Sequence, residues 1–230
     1  MPTQPGEVIR YTDNLTEDTV RRVATLAGQH SFSRRVDLAS DLATVGVGDG
    51  DPAAEIAAIF KVVQQDIEWH RDPATGERIY TPDLLAKKLI LYRWPEAVRI
   101  YKDLLDVDPG EGEEMGYKPK GDCDDKACLL MSMLLNRGHI SRAVAAWQSL
   151  IPPYPGCPDP QNERWRRINH VYVEVKIPAS RVASIGGTVD QGFKWLPLEP
   201  SSATLSAFSQ HPAVKPVAYY YAKVDSKVIK

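Results

Sequence analysis

The chain has 230 residues, of which 43% are hydrophobic and 25% charged, as expected for a globular domain with its own core. Its formal net charge is −2 and no apolar run approaches the roughly 20 residues that span a bilayer, so we expect neither nucleic-acid binding nor a membrane span. Three cysteines are too few, and odd in number, for a disulfide framework, and the polar N-terminus predicts cytoplasmic synthesis without a secretory leader. Zinc and calcium ligand patterns are missing from the sequence, so no metal or cofactor is predicted.

The first half of the sequence predicts helices. Residues 1–15 are polar and are interpreted as an N-terminal arm. Apolar side chains then recur at helical spacing in three segments, 16–28, 33–44 and 51–67. A loop over 72–82 precedes another helical segment, which breaks at Trp94-Pro95. Residues 106–121, rich in glycine, proline and acid, are predicted either to form a flap over a cleft or simply to lead into the next helix.

The second half predicts one more helix, followed by strands. The helix begins at Cys123 and ends at Gly138, a glycine typical of a helix C-terminus. Alternating or β-rich segments then predict four strands, 141–150, 170–177, 193–198 and 217–224. Because helices come first and strands follow, the predicted fold class is α+β, with the Cys123 helix packed on an antiparallel sheet. We expect one domain over 16–204, with residues 205–230 packed on it as a C-terminal strand and tail.

The segment Gly121-Asp122-Cys123-Asp124-Asp125 places a thiol in the first turn of the predicted helix. The helix dipole and the free backbone N–H groups at this end favour thiolate. The neighbouring carboxylates act in the opposite direction and raise the pKa of the thiol. An imidazolium partner must therefore supply most of the stabilisation of the thiolate. Cys128 stands in apolar sequence and is predicted to be core, whereas Cys157 is predicted to be an exposed loop thiol.

His170 is the histidine best placed to be that partner, because it opens an alternating strand. On such a strand the valines at 171, 173 and 175 point one way, and His170 and Glu174 point the other. Glu174 is too far along the strand to orient the imidazole, since four residues span about 13 Å. Glu199, on a different strand, can approach the ring and accept its Nδ1–H. The order Cys, His, Glu is that of a nucleophile, a base and an orienting acid.

These three elements resemble the transglutaminase-like superfamily, which shares the papain-like triad. That family carries a Gly-x-Cys element, a His-x-x-x-Glu-Val strand and a Trp-x-x-Leu-Asp-Pro element. Here they are Gly121-Asp122-Cys123, His170 to Val175, and Trp195 to Pro200. The Gly-Asp-Cys-Asp-Asp form, with the upstream segment 67–73, is most similar to members carried by tailed bacteriophages and prophages. The resemblance covers residues 16–204, and Glu199 stands where the family usually has aspartate.

The resemblance implies a cysteine-dependent acyl-transfer enzyme with Cys123, His170 and Glu199 as its catalytic residues. Its most direct reading is an amidase or peptidase that hydrolyses a peptide or another amide through a thioester, while capture of the thioester by an amine would give cross-linking. The alternative is a virion or tail-assembly component that binds other phage structural proteins and keeps the fold with little turnover. The complete triad favours the enzyme. The carboxylates next to Cys123, and the glutamate at 199 where the family usually has aspartate, favour the alternative.

An oxyanion hole would use the backbone N–H of Cys123, for which a helix N-terminus is suited. The resemblance implies a second donor upstream of the cysteine, for which Tyr117 is the first candidate and Trp94 the second. Asp122 and Trp195 are further candidates for the lining of the cleft.

Overall fold

The structure is a computed structural model that describes residues 17–48, 50–70, 79–106, 116–148, 169–185, 189–209 and 214–222. The predicted arm 1–15, the segment 107–115 of the predicted flap, and Cys157 lie outside the described residues. Within the described part of the chain, no helix has both the length and the apolar character needed to cross a membrane.

Helices occupy the first part of the chain, largely where the apolar spacing predicts them. They are α1 (Glu17–His30), α2 (Arg34–Ala43), α3 (Pro52–Asp66), α4 (Pro82–Arg93), α5 (Pro95–Ile100) and α6 (Lys102–Leu105). Capping side chains fix two of the starts. Ser33 accepts the N–H of Val36 at the start of α2, and Asp51 accepts two N–H groups at the start of α3. The break predicted at Trp94-Pro95 separates α4 from α5.

Helix α7 (Cys123–Asn136) is the central helix of the domain. Every residue from Asp124 to Leu134 is buried, including the charged ones in its first turn. It packs on α1, α2, α3 and α4 on one side and on strands of the sheet on the other. A helix buried on all sides is a core helix rather than an amphipathic surface helix.

The larger sheet is formed by β3 (Ser141–Gln148), β4 (His170–Pro178), β5 (Val189–Asp190), β6 (Phe193–Leu198) and β7 (Val214–Tyr221). These strands are antiparallel throughout and lie in the order β5-β6-β4-β3-β7. Strand β7, from the predicted C-terminal segment, pairs with β3 and begins before the predicted 217. The α+β class and the packing of α7 on an antiparallel sheet are confirmed.

The two faces of the sheet differ in what covers them. The valines at 171, 173 and 175 join the main core beneath α7. On the opposite face Tyr172 packs with Val144, Ala146 and Val214 in a smaller buried cluster. The alternation of β4 therefore follows the sequence pattern, and His170 belongs by that alternation to the same face as Tyr172.

A second, two-stranded parallel sheet joins β1 (Glu68–Trp69) to β2 (Lys120–Gly121). The sequence pattern did not predict either strand. Trp69 pairs with Gly121, two residues before Cys123, and the His70 N–H donates to the Gly121 carbonyl. This pairing attaches the segment after α3 to the residues that lead into α7.

Candidate active site

The first turn of α7 is built from the acidic residues around Cys123. Asp122 is the N-cap, and its Oδ1 accepts the Asp124 N–H at 3.2 Å. Asp125 completes a capping box by accepting the Asp122 N–H, and its other oxygen accepts the N–H of Tyr80 at 2.6 Å. Gly121 is required here, because a Cβ at this position would lie 2.8 Å from the Asp125 Cβ. The acids thus hold Cys123 at the helix N-terminus.

The Cys123 thiol is half-buried and lies against the beginning of β4, where it accepts the backbone N–H of Val171. The sheet explains why that N–H is available. The Lys176 N–H donates to Ile140 beside β3, so the odd-numbered residues of β4 direct their N–H groups towards β6. Strand β6 ends at Leu198, opposite Val173, before it reaches Val171. The thiol therefore occupies the edge position where β6 stops.

The electrostatic surroundings of the thiol favour its neutral form. Burial raises the pKa of Cys123 well above its usual value, and the nearby charges of Asp122, Asp124 and Glu199 raise it further. The Val171 N–H acts in the opposite direction and lowers the pKa. The prediction that the acidic flank opposes the thiolate agrees with this balance. A thiolate at neutral pH consequently requires a positive partner or a base.

His170 and Glu199 form a buried pair, with 4% and 3% of their surfaces exposed. The imidazole Nε2 lies 2.5 Å from Glu199 Oε2, and the Ser201 N–H donates to the other carboxylate oxygen at 3.2 Å. The two side chains meet because Glu199 directly follows β6, which pairs with β4. The expectation that the acid accepts Nδ1–H was wrong, since Nε2 faces the carboxylate. Nδ1 is the ring nitrogen that does not face the carboxylate.

The thiol and the imidazole are connected through adjacent residues of β4. Cys123 contacts the N–H of Val171, and His170 is the preceding residue. Within the described part of the chain, no hydrogen bond joins Sγ to the ring itself; the imidazole bonds to Glu199. That Cys123 Sγ lies within hydrogen-bonding reach of His170 stays a prediction.

Glu174 and Trp195 belong to a different group on the outer face of the sheet. Arg142 forms an ion pair with Glu174 at 2.6 Å, and its guanidinium lies 4.0 Å from the ring centres of both Trp195 and Tyr219. Tyr172 also donates its hydroxyl to Glu174. Glu174 therefore bonds to Arg142 and Tyr172 and not to His170, as its spacing predicted. Trp195 contacts the Arg142 guanidinium of the same group.

Tyr117, the first candidate for the second oxyanion donor, is 74% exposed. It lines a cavity of about 350 Å³, whose other lining residues are Tyr80, Lys88, Leu91, Lys118, Pro119 and Lys120. Trp94, the second candidate, packs against the main core beside Arg93.

Trp69 lies beside the candidate site, a placement that the sequence pattern did not predict. It is 54% exposed and pairs with Gly121, two residues before Cys123. Two-residue strands give no periodic pattern, and the pairing joins segments far apart in the chain. The sequence held no local signal for this placement.

The carboxylates of Asp122, Asp124 and Asp125 lie within 4.8 Å of one another, which is close enough to share a cation. Each of them accepts a backbone N–H from the residues at the start of α7, Asp122 to Asp125. These bonds account for the cluster as helix capping.

Comparison of the chain with models of protein families, with curated proteins and with solved structures finds no match. The function must therefore be argued from the site itself.

Proposed function

We propose that the protein is a cysteine-dependent acyl-transfer enzyme with a transglutaminase-like, papain-like core, acting most simply as an amidase or peptidase. Cys123 is the nucleophile, His170 the base and Glu199 the orienting acid. The observation that carries the proposal is the buried His170–Glu199 pair beside the thiol. Val171, the residue after His170 on β4, contacts the Cys123 thiol. Burying such a pair costs stability, so its position beside a thiol at a helix N-terminus favours a chemical role over packing.

The reaction begins with proton transfer from the thiol. His170 Nδ1 takes the proton of Cys123, and Glu199 stabilises the imidazolium through Nε2–H. The sulfur attacks the amide carbon, and the carbonyl electron pair moves onto oxygen as an oxyanion. The backbone N–H of Cys123, at the start of α7, is the proposed donor to this oxyanion. The imidazolium then protonates the leaving amine, the C–N bond breaks, and a thioester remains.

The thioester is resolved by the reverse use of the same groups. His170 takes a proton from water, the resulting hydroxide adds to the thioester, and collapse of the second oxyanion expels the sulfur. The imidazolium returns its proton to the sulfur, so thiol and imidazole are regenerated. An amine in place of water gives cross-linking by the same steps. Because the surrounding carboxylates raise the pKa of Cys123, His170 has to remove the proton as the attack occurs.

The test is the rate of alkylation of each cysteine by iodoacetamide across pH 5–10, with the modified thiol identified by peptide mapping. We expect Cys123 to react faster below pH 7 than its raised pKa alone would allow, because His170 removes the proton as the sulfur attacks, and His170→Ala to abolish this advantage. Cys128, which is fully buried, is the internal reference and should react slowly throughout. The same samples are then screened with fluorogenic amides and peptides. Ordinary thiol behaviour of Cys123 at every pH contradicts the proposal.

The raised thiol pKa favours a second candidate, a virion or tail-assembly component that keeps the fold and binds partners with little turnover. It predicts that Cys123→Ala leaves partner binding and assembly unchanged. Fast, His170-dependent alkylation at low pH excludes this candidate.

A further inference from the structure

The loop that carries the orienting acid has little regular structure of its own. Residues 199–205, called here the acid loop, follow β6 and contain a turn in which the Ser202 N–H donates to the Glu199 carbonyl at 3.3 Å. Backbone groups in such a segment need partners from outside it, since buried carbonyls without partners are costly. Two side chains from neighbouring helices supply them.

The first is Lys126, which is 3% exposed and lies one turn after Cys123 on α7. Its ammonium donates to the Pro200 carbonyl and to the Gln64 carbonyl of α3, both at 3.3 Å. Residues three apart lie on the same side of a helix, so Lys126 faces the acid loop from the side that carries the thiol. One side chain therefore joins the nucleophile helix, α3 and the residue that follows Glu199.

The second is Gln64, whose side-chain amide donates to the carbonyls of Ser202 and Leu205 at 2.5 and 2.6 Å. With Lys126, it engages three carbonyls of the acid loop. The charged groups that act on the Lys126 ammonium are Glu199, from the acid loop, and Lys118, from the segment before β2. Burial of the ammonium and, to a smaller extent, the repulsion of Lys118 lower the pKa of Lys126 to about 8, although the attraction of Glu199 acts in the opposite direction.

We propose that Lys126 is a positioning residue for Glu199, and that with Gln64 it clamps the acid loop to α7 and α3 so that the carboxylate meets the His170 ring. This inference rests on the proposed function, because it assigns a purpose to the His170–Glu199 pair. The clamp fixes the acid relative to the same helix that holds the nucleophile. Without these bonds, a shift of the acid loop would move the Glu199 carboxylate away from Nε2 of His170.

The direct measurement is proton NMR of the histidine-labelled protein. An imidazole N–H held at 2.5 Å from a buried carboxylate gives a downfield, slowly exchanging resonance. Lys126→Met, which removes the charge and the donors, should abolish or shift this resonance for His170. Lys126→Arg, which keeps both, should restore it in part. The His139–Glu55 pair, remote from the clamp, is an internal reference in every spectrum.

Lys194→Met is the matched control. Lys194 is also a buried lysine that donates to two backbone carbonyls, those of Val182 and Ile185, at the other end of β6. It should lower the thermal midpoint and leave the His170 resonance in place. Gln64→Met is the second variant in case Lys126→Met does not fold, and it should shift the same resonance to a smaller extent.

Alkylation of Cys123 separates this inference from the proposed function. We expect Lys126→Met to slow alkylation of Cys123 at pH 6.5 by about tenfold, which is the effect that a change of one unit in the pKa of a reacting thiol would have. A lost His170 resonance with ordinary wild-type thiol reactivity supports the clamp and contradicts the proposed function. An unchanged His170 resonance in Lys126→Met, or an equal change in Lys194→Met, overturns the clamp.

Discussion

The buried ammonium of Lys126 predicts a specific dependence of stability on pH. Its pKa falls from the ordinary 10.5 to about 8 in the folded protein, chiefly because burial disfavours the charge. This difference corresponds to about 3 kcal/mol of unfolding free energy. Below pH 8 Lys126 is protonated in both the folded and the unfolded protein, and the folded state is destabilised by the full cost of burying the charge. Between about pH 8 and 10.5 the folded state releases the proton first, so stability rises with pH, and it reaches a plateau above that window.

The assay is urea unfolding of the wild type and of Lys126→Met, followed by circular dichroism at several values between pH 7 and 10.5. Changes in packing caused by the methionine add a constant offset, so only the slope of the difference is used. The wild type should gain about 3 kcal/mol over the variant across this range. Other lysines and tyrosines titrate in both proteins and cancel in the difference. A difference that is flat, or that falls with pH, would refute the burial of a charged Lys126.

Further predictions concern four other positions, each checked by thermal midpoint and by alkylation or turnover. Cys123→Ala should remove activity and leave stability nearly unchanged, because the side chain is only half-buried. Cys128→Ser should cost less than the about 1–3 kcal/mol of an unpartnered hydroxyl, since the Val23 carbonyl already accepts from Sγ at 3.5 Å. Glu199→Gln should slow alkylation of Cys123 near pH 6 with a smaller loss of substrate binding, because the imidazolium loses its counter-charge. Gly121→Ala should destabilise by about 1–3 kcal/mol and slow alkylation, since the new Cβ would press on the first turn of α7 at 2.8 Å; full reactivity at wild-type stability would contradict this.

Local patterns in the sequence predicted those parts of the candidate site whose structure depends on neighbours along the chain. The glycine, the acids and the apolar run after Cys123 indicated a capped helix, and Asp122 and Asp125 form that cap. Alternation along β4 placed His170 and Glu174 on the same face of the strand. Their separation along the strand excluded Glu174 as the acid that orients the imidazole. The pairing of β6 with β4 then brings Glu199 to the ring.

Contacts between distant segments were not predictable in the same way. Trp69 reaches the segment before Cys123 through a parallel pairing of two-residue strands, which leaves no periodic pattern in the sequence. Lys126 would be expected at a helix surface, yet α7 is buried along its length and forces the ammonium inside. Trp195 shares the outer face of the sheet with Arg142, and only the register of β6, β4 and β3 shows that the two side chains stack.

The acidic surroundings of the Cys123 thiol are consistent with the proposed mechanism. The carboxylates needed to cap α7 stand next to Cys123, and they hold its pKa high. A stored thiolate is therefore disfavoured, and reactivity has to come from a base that acts during the attack. His170 can do so only if its imidazolium is stabilised, and in the described structure Glu199 is the carboxylate in contact with the ring. In the proposed mechanism the reaction depends on the position of that carboxylate as well as on the thiol, and this dependence gives Lys126, one turn after Cys123, a reason to bind the loop beside Glu199.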